Sequence, residues 1–185
     1  GEINHYLADL VGPAFRKYRD TWDKAHSLQL VTDFPTYLSL ETLMQCNYRC
    51  TMCTYSDPQE VKKIRYKEVL SDELYDKILY EIKKHQCPSV GFNMLNEPLL
   101  DKKIIGRIRK ATEAGVIDSR MNTNASLLTE EKAEELIDAG LTRLLVGLDA
   151  YTAETYSQVR IGGNFDLVMQ NVENFLKIRE RKKKK

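Results

Sequence analysis

Apolar positions follow two regimes along the chain, and the change falls near residue 36. Before it, Tyr6, Leu7, Leu10, Val11, Ala14, Phe15 and Tyr18 recur at the spacing of a helix face, interrupted by Gly12-Pro13. Residues 1–35 therefore read as a helical extension of one or two helices lying against a larger body. After it, short runs of alternating character take turns with longer helical periods. Tyr37-Leu38-Ser39-Leu40-Glu41-Thr42-Leu43 interleaves apolar and polar positions as a strand does. The polar stretch from Ser56 to Lys67 reads as loop. Ser71 is placed to cap a helix with Asp72 and Glu73 in its first turn and Leu74, Ile78 and Ile82 on one face. Val90, Phe92 and Met94 then alternate with Ser89, Gly91 and Asn93 as a second strand. Asp101 leads into a helix carrying Ile104, Ile105, Ile108 and Ala111, which Gly115 ends.

A third strand is expected from Val116 to Asn122. The next helix starts near Thr129, buries Ala133, Leu136 and Ile137, and stops at Gly140. Leu144-Leu145-Val146 reads as a fully buried fourth strand. A short helix over 152–159 follows, then a longer one over 165–181 with Val168, Val172, Phe175 and Leu176 on its apolar face. Strands alternating with helices of this length imply a parallel sheet with right-handed crossovers. In such sheets and barrels chemistry collects beyond the C-terminal strand ends. The unusual clusters Cys46 to Cys53, Asn96-Glu97-Pro98, Thr123-Asn124-Ala125 and Gly147 to Asp149 each follow a predicted strand. All of them are expected to meet at one rim.

Composition adds boundaries. Apolar residues at 42% and charged residues at 30% describe an ordinary globular chain. The net charge of +1 offers no global field for nucleic acid or acidic lipid. The basic run Arg181 to Lys185 reads as a solvated helix end. No segment approaches the ~20 consecutive apolar residues of a membrane span, and no signal peptide is visible at the start. Three of the four cysteines fall within eight residues, unlike a secreted disulfide framework, so a reducing, cytoplasmic setting fits.

Those three, Cys46-Asn47-Tyr48-Arg49-Cys50-Thr51-Met52-Cys53, form a C-x3-C-x2-C run. Thiolates at short loop spacing hold iron–sulfur clusters, and three of them leave one iron of a four-iron cluster open. A zinc site is the other metal reading, with Cys87, His5, His26 or His85 as its fourth ligand; unmetallated thiols are the third.

This run, directly after the first strand of a βα repeat, resembles the signature of the radical S-adenosylmethionine (SAM) family. The resemblance extends over residues 37–180. It implies that Cys46, Cys50 and Cys53 bind a [4Fe–4S] cluster whose open iron chelates SAM. Asn96-Glu97-Pro98 resembles the second half of the family's Gly-Gly-Glu-Pro element, which contacts the SAM ammonium, with Leu95 and Asn96 in place of the glycines. Thr123-Asn124-Ala125 resembles the Thr-Asn-Gly of the SPASM/twitch branch, and Gly147-Leu148-Asp149-Ala150 its Ser-Leu-Asp element, with Gly147 replacing the serine. These imply that Asn124 orients SAM or substrate and that Asp149 bonds the SAM ribose; a turn asparagine and a helix cap are the alternatives. Arg160-Ile161-Gly162-Gly163 resembles the branch's arginine-glycine-glycine segment, with Arg160 pairing the SAM carboxylate or forming a surface salt bridge. Met52 stands where relatives often carry an aromatic residue, a role Tyr55 is placed to supply. Cys87 reads as a spare thiol.

The fold so implied is α/β, a partial parallel (β/α)6-type, TIM-like barrel. It consists of an N-terminal helical extension over 1–35 and a core over 36–185 that stops after the fourth βα unit, as a fragment of a longer polypeptide would. The implied activity is reductive SAM cleavage followed by hydrogen abstraction. The implied partners are a peptide or small-molecule substrate and an electron donor such as flavodoxin or ferredoxin, with neither membrane nor nucleic acid. The opposing reading is a zinc-bound or apo scaffold module without catalysis.

Overall fold

Four short strands, Tyr37–Ser39 (β1), Ser89–Gly91 (β2), Asp118–Thr123 (β3) and Arg143–Val146 (β4), form one parallel sheet in the order β1-β2-β3-β4. The computed structural model describes residues 2–63 and 68–182. Register is set by pairs such as Leu38 with Val90, Val90 with Ser119, and Met121 with Leu144. Helices Asp72–His85 (α4), Ile104–Glu113 (α5) and Glu130–Asp138 (α6) make the crossovers. Glu2–Val11 (α1) and Pro13–His26 (α2) precede the sheet, and Pro58–Lys63 (α3) follows the cysteine loop. Ala153–Val159 (α7) and Phe165–Arg181 (α8) come after β4. Ile82, Val90, Phe92, Ile108, Met121, Leu136 and Val168 are fully enclosed between sheet and helices. Each such side chain contributes about 1.5–3 kcal/mol on burial. Among the described residues no helix is long and apolar enough to cross a membrane.

The local signals act as expected at the caps. Ser71 accepts the Leu74 N–H, Thr129 that of Lys132, Thr152 that of Thr155 and Asn164 that of Leu167. Several boundaries and faces differ from the periodic reading. The first strand ends at Ser39, because the chain beyond Leu40 turns away to bridge Leu43 with Val69. Within the stretch expected as loop, α3 forms; residues 64–67 lie outside the described part. The inner face of α4 runs through Tyr75, Ile78 and Ile82, leaving Leu74 half exposed. The second strand stops before Met94, whose side chain is solvated. The third strand begins at Asp118, two residues later than expected, and extends to Thr123. Strand β4 is not fully buried. It is an edge of the sheet, and Leu145 faces outward. Leu176 is likewise exposed on α8, and Ile178 takes the buried position.

The N-terminal helices close the end of the sheet opposite the cysteines. Leu7, Phe15 and Tyr18 bury themselves together against Ala8, Val11, Trp22 and Ile117. The Trp22 ring meets Tyr37 edge-on at 6.1 Å, and the Arg143 guanidinium lies 5.9 Å from the centre of the Phe15 ring. Beneath them Asp118 is fully buried, ion-paired to Arg143 and bonded by the Ser89 hydroxyl.

Candidate functional site

The strands are parallel, so the segments following β1, β2, β3 and β4 emerge on one side of the sheet, and hydrogen bonds knit three of them together. The loop Cys46 to Cys53 is the hub. Its backbone is paired to the segment joining α7 to α8, with Arg49 N donating to Ile161 O at 2.9 Å and Thr51 N to Val159 O at 3.0 Å. Gly162 and Gly163 make this approach feasible. A Cβ on Gly163 would stand 2.8 Å from the Tyr48 ring and 2.7 Å from the Tyr156 ring. At its other end, Glu97 N donates to Gln45 O at 2.9 Å, tying the loop to the segment after β2. Asn47 ties it to the segment after β3, accepting from Asn124 Nδ2 and donating to Ser126 Oγ, both at 2.9 Å.

Cys50 is buried, and Cys46 and Cys53 are half-buried. Tyr48 N donates to Cys46 Sγ at 3.4 Å, and Arg160 Nη1 to Cys50 Sγ at 3.5 Å. Burial raises the Cys46 thiol above its ordinary range; the Tyr48 N–H opposes this, and negative charge on Glu97, Cys50 and Cys53 adds to it. These groups therefore share one electrostatic neighbourhood. Among the described residues no three His, Cys, Asp or Glu side chains converge on the position of a single ion. Three thiols on one short loop are the donor type of an iron–sulfur cluster, in which each thiolate meets its own iron. Cys87 lies before β2, at the opposite end of the sheet, with its thiol 3.6 Å from Ser89 O.

The remaining predicted residues separate by what they touch. Glu97 is buried with its carboxylate fully engaged, accepting from Leu99 N, the Thr123 hydroxyl and Asn124 N. Burial still outweighs those donors and holds its carboxyl above the usual glutamate range. Asn124 is also occupied, since its Oδ1 accepts from both Ser126 N and Oγ. Both residues thus lock rim segments to one another. Asn96 differs: it is only 6% exposed, yet neither its amide nitrogen nor its amide oxygen has a partner. Leaving such a group unpaired costs about 1–3 kcal/mol. Arg160 reaches back over Gly147 to pair with Asp149, and its Nε is buried without a partner. A Cβ at position 147 would sit 2.5 Å from Arg160 Nη2, so the glycine that replaces the expected serine makes room for the guanidinium. The Tyr55 ring is buried, and Met52 is the exposed side chain of the pair.

Residues 40–181 match the family profile described as Radical SAM superfamily. The chain belongs to the radical SAM superfamily. The cofactors of that family are a [4Fe–4S] cluster and SAM, and the donor set above fits both. A GTP 3′,8-cyclase of Desulforamulus reducens is 27% identical over 146 residues, covering 77% of this chain and 43% of the relative. One from Clostridium botulinum is 30% identical over 147 residues, covering 77% and 44%. The chain thus spans somewhat less than half the length of these curated relatives. Among solved structures, SuiB of Streptococcus suis bound to precursor peptide SuiA aligns with a TM-score of 0.66 at 18% identity, covering 89% of this chain and 35% of that one. The anSMEcpe structure with bound AdoMet aligns at 0.62 and 20% identity, covering 77% and 41%. These likenesses establish the parallel α/β core as that of radical SAM enzymes.

Sequence reasoning missed Glu41, Asn47, Tyr48 and Ser126. Each acts through a contact with a residue far away in sequence, and only Glu41, a charge inside a strand-like pattern, carries a local signal.

Proposed function

We propose that Cys46, Cys50 and Cys53 hold the [4Fe–4S] cluster and that the chain is the SAM-binding part of a radical SAM enzyme. The buried, unpartnered Asn96 amide beside the cysteine loop carries this reading, because it needs a polar ligand on that rim. Held by Cys46, Cys50 and Cys53, the reduced cluster would supply the electron for reductive SAM cleavage, and with it radical hydrogen abstraction from the substrate. The chain's own residues bind and orient. Asn96 and the backbone around it receive the SAM ammonium. Arg160 supplies its guanidinium to the SAM carboxylate, exchanging its pairing with Asp149 for it. Asp149, with its side chain partly solvated, is then free to meet ribose hydroxyls. Glu97 and Asn124 hold the rim segments at the spacing SAM requires.

Within the family we place the chain beside the SPASM/twitch branch, on Thr123-Asn124-Ala125 and Arg160-Ile161-Gly162-Gly163. The substrate is a peptide or a small molecule: one group of relatives is named for GTP, and a structural neighbour is solved with its precursor peptide. A flavodoxin- or ferredoxin-type protein supplies the electron in a cytoplasmic setting. The N-terminal helical extension over 1–35 and the core over 36–185 act as one unit.

The test is anaerobic reconstitution with iron and sulfide, then SAM and dithionite. One four-iron cluster with release of 5′-deoxyadenosine is expected; Cys50→Ala abolishes the cluster and Cys87→Ala retains it. A single zinc ion without product, or equal losses in the two variants, refutes the assignment.

A further inference from the structure

Glu41 lies just beyond β1, and its carboxylate accepts from three successive backbone N–H groups after β2. Met94 N reaches it at 3.0 Å, Leu95 N at 3.1 Å and Asn96 N at 2.8 Å. No peptide bond among the described residues is cis. In a trans peptide the N–H of one residue and the C=O of the residue before it point in opposite directions. The carbonyls of Asn93, Met94 and Leu95 therefore turn their backs on Glu41. No described donor reaches any of these carbonyls. They form a row of free acceptors that ends at the unpartnered Asn96 amide.

A row of this kind suits an alkylammonium group, which has three N–H donors and no acceptor. Leu95 and Asn96 occupy the positions where the resemblance leads one to expect glycines. Lacking glycine's freedom, the segment is held in shape from outside. We propose that Glu41 is a positioning residue that turns the carbonyls of residues 93–95 toward the SAM ammonium without touching SAM itself. The inference rests on the cofactor reading above and adds to it the device that builds the ammonium site. The chemistry is that of an anion in a backbone nest, here an internal carboxylate that fixes the peptide planes.

Wild type, Glu41→Gln and Glu41→Asp proteins are reconstituted anaerobically. Cluster content is measured first, then equilibrium affinity for SAM and for 5′-methylthioadenosine, which lacks the amino-acid moiety. Glu41→Gln keeps its size but loses the charge and one acceptor. It is expected to weaken SAM about tenfold or more, the scale of hydrogen bonds to a charged group, and to leave 5′-methylthioadenosine binding unchanged. Should Glu41→Gln fail to assemble a cluster, Glu41→Asp carries the comparison, with a smaller loss confined to SAM. Equal losses for both ligands, or none, overturn the positioning role. A wild type that takes up a cluster yet binds no SAM overturns the cofactor reading, and this inference with it.

Discussion

Replacing Gly163 by alanine tests how tightly the cysteine loop is backed. The new methyl carbon would stand 2.7 Å from Tyr156 Cε1 and 2.8 Å from Tyr48 Cε2 and Cζ. Carbon atoms rest at about 3.5–4.0 Å, so the overlap is roughly 0.7–1.3 Å against two rings at once. Neither ring has room to yield. Tyr48 is 2% and Tyr156 0% exposed, and Phe165 packs edge-on against Tyr156 at 5.5 Å. Overpacking of this kind costs about 1–3 kcal/mol. For a domain of this size, each kcal/mol moves the melting midpoint by about 2–4 °C, giving a fall of about 2–12 °C. Gly106→Ala is the matched control, because that glycine lies exposed within α5 with nothing near its missing Cβ. There the same change stabilises by about 0.5–1 kcal/mol through helix propensity. Thermal unfolding of the apo proteins by circular dichroism reads both. Iron uptake should also fall in Gly163→Ala, since residues 159–163 anchor Arg49 N and Thr51 N. A Gly163→Ala protein that melts at or above wild type would refute the packing argument.

Two further outcomes follow from the structure. Phe15 is completely buried among Leu7, Tyr18 and Ile117, so Phe15→Ala should cost about 3–5 kcal/mol in a single cooperative urea transition; a transition of the sheet left at its original midpoint would show that the leading helices unfold separately. Burial holds the Glu97 carboxyl above its ordinary 4.5, so the folded apo protein keeps a proton that the unfolded chain releases. Its contribution to stability therefore declines as pH rises from that value toward the folded pKa. In urea titrations across this range the stability of wild type relative to Glu97→Gln should drop with rising pH, and a flat difference would contradict the sign.

The sequence carried the order of elements because caps and periodicity are local. Ser71, Thr129, Thr152 and Asn164 each bond an N–H three residues on, and α5, α6 and α8 present faces readable at helical spacing. The rim was legible for a related reason: strand ends in a parallel repeat must share a side, so four unusual clusters gather there without any knowledge of contacts. Faces failed where neighbours, not periodicity, choose. Leu74 and Leu176 are as apolar as Tyr75 and Ile178, and only the placement of α4 and α8 on the body decides which pair is enclosed.

Individual roles depended on the same kind of long-range information. By itself the chain determined its βα rhythm, the C-x3-C-x2-C loop and the cofactor class that loop is suited to. Tertiary structure decided that Glu97 and Asn124 spend their polar atoms on other rim segments, that Asn96 keeps its amide unpaired, and that Glu41 orders the backbone beside it. The reason is physical: a side chain's hydrogen-bonding capacity is written in its type, but which donors and acceptors consume it depends on partners up to 110 residues away.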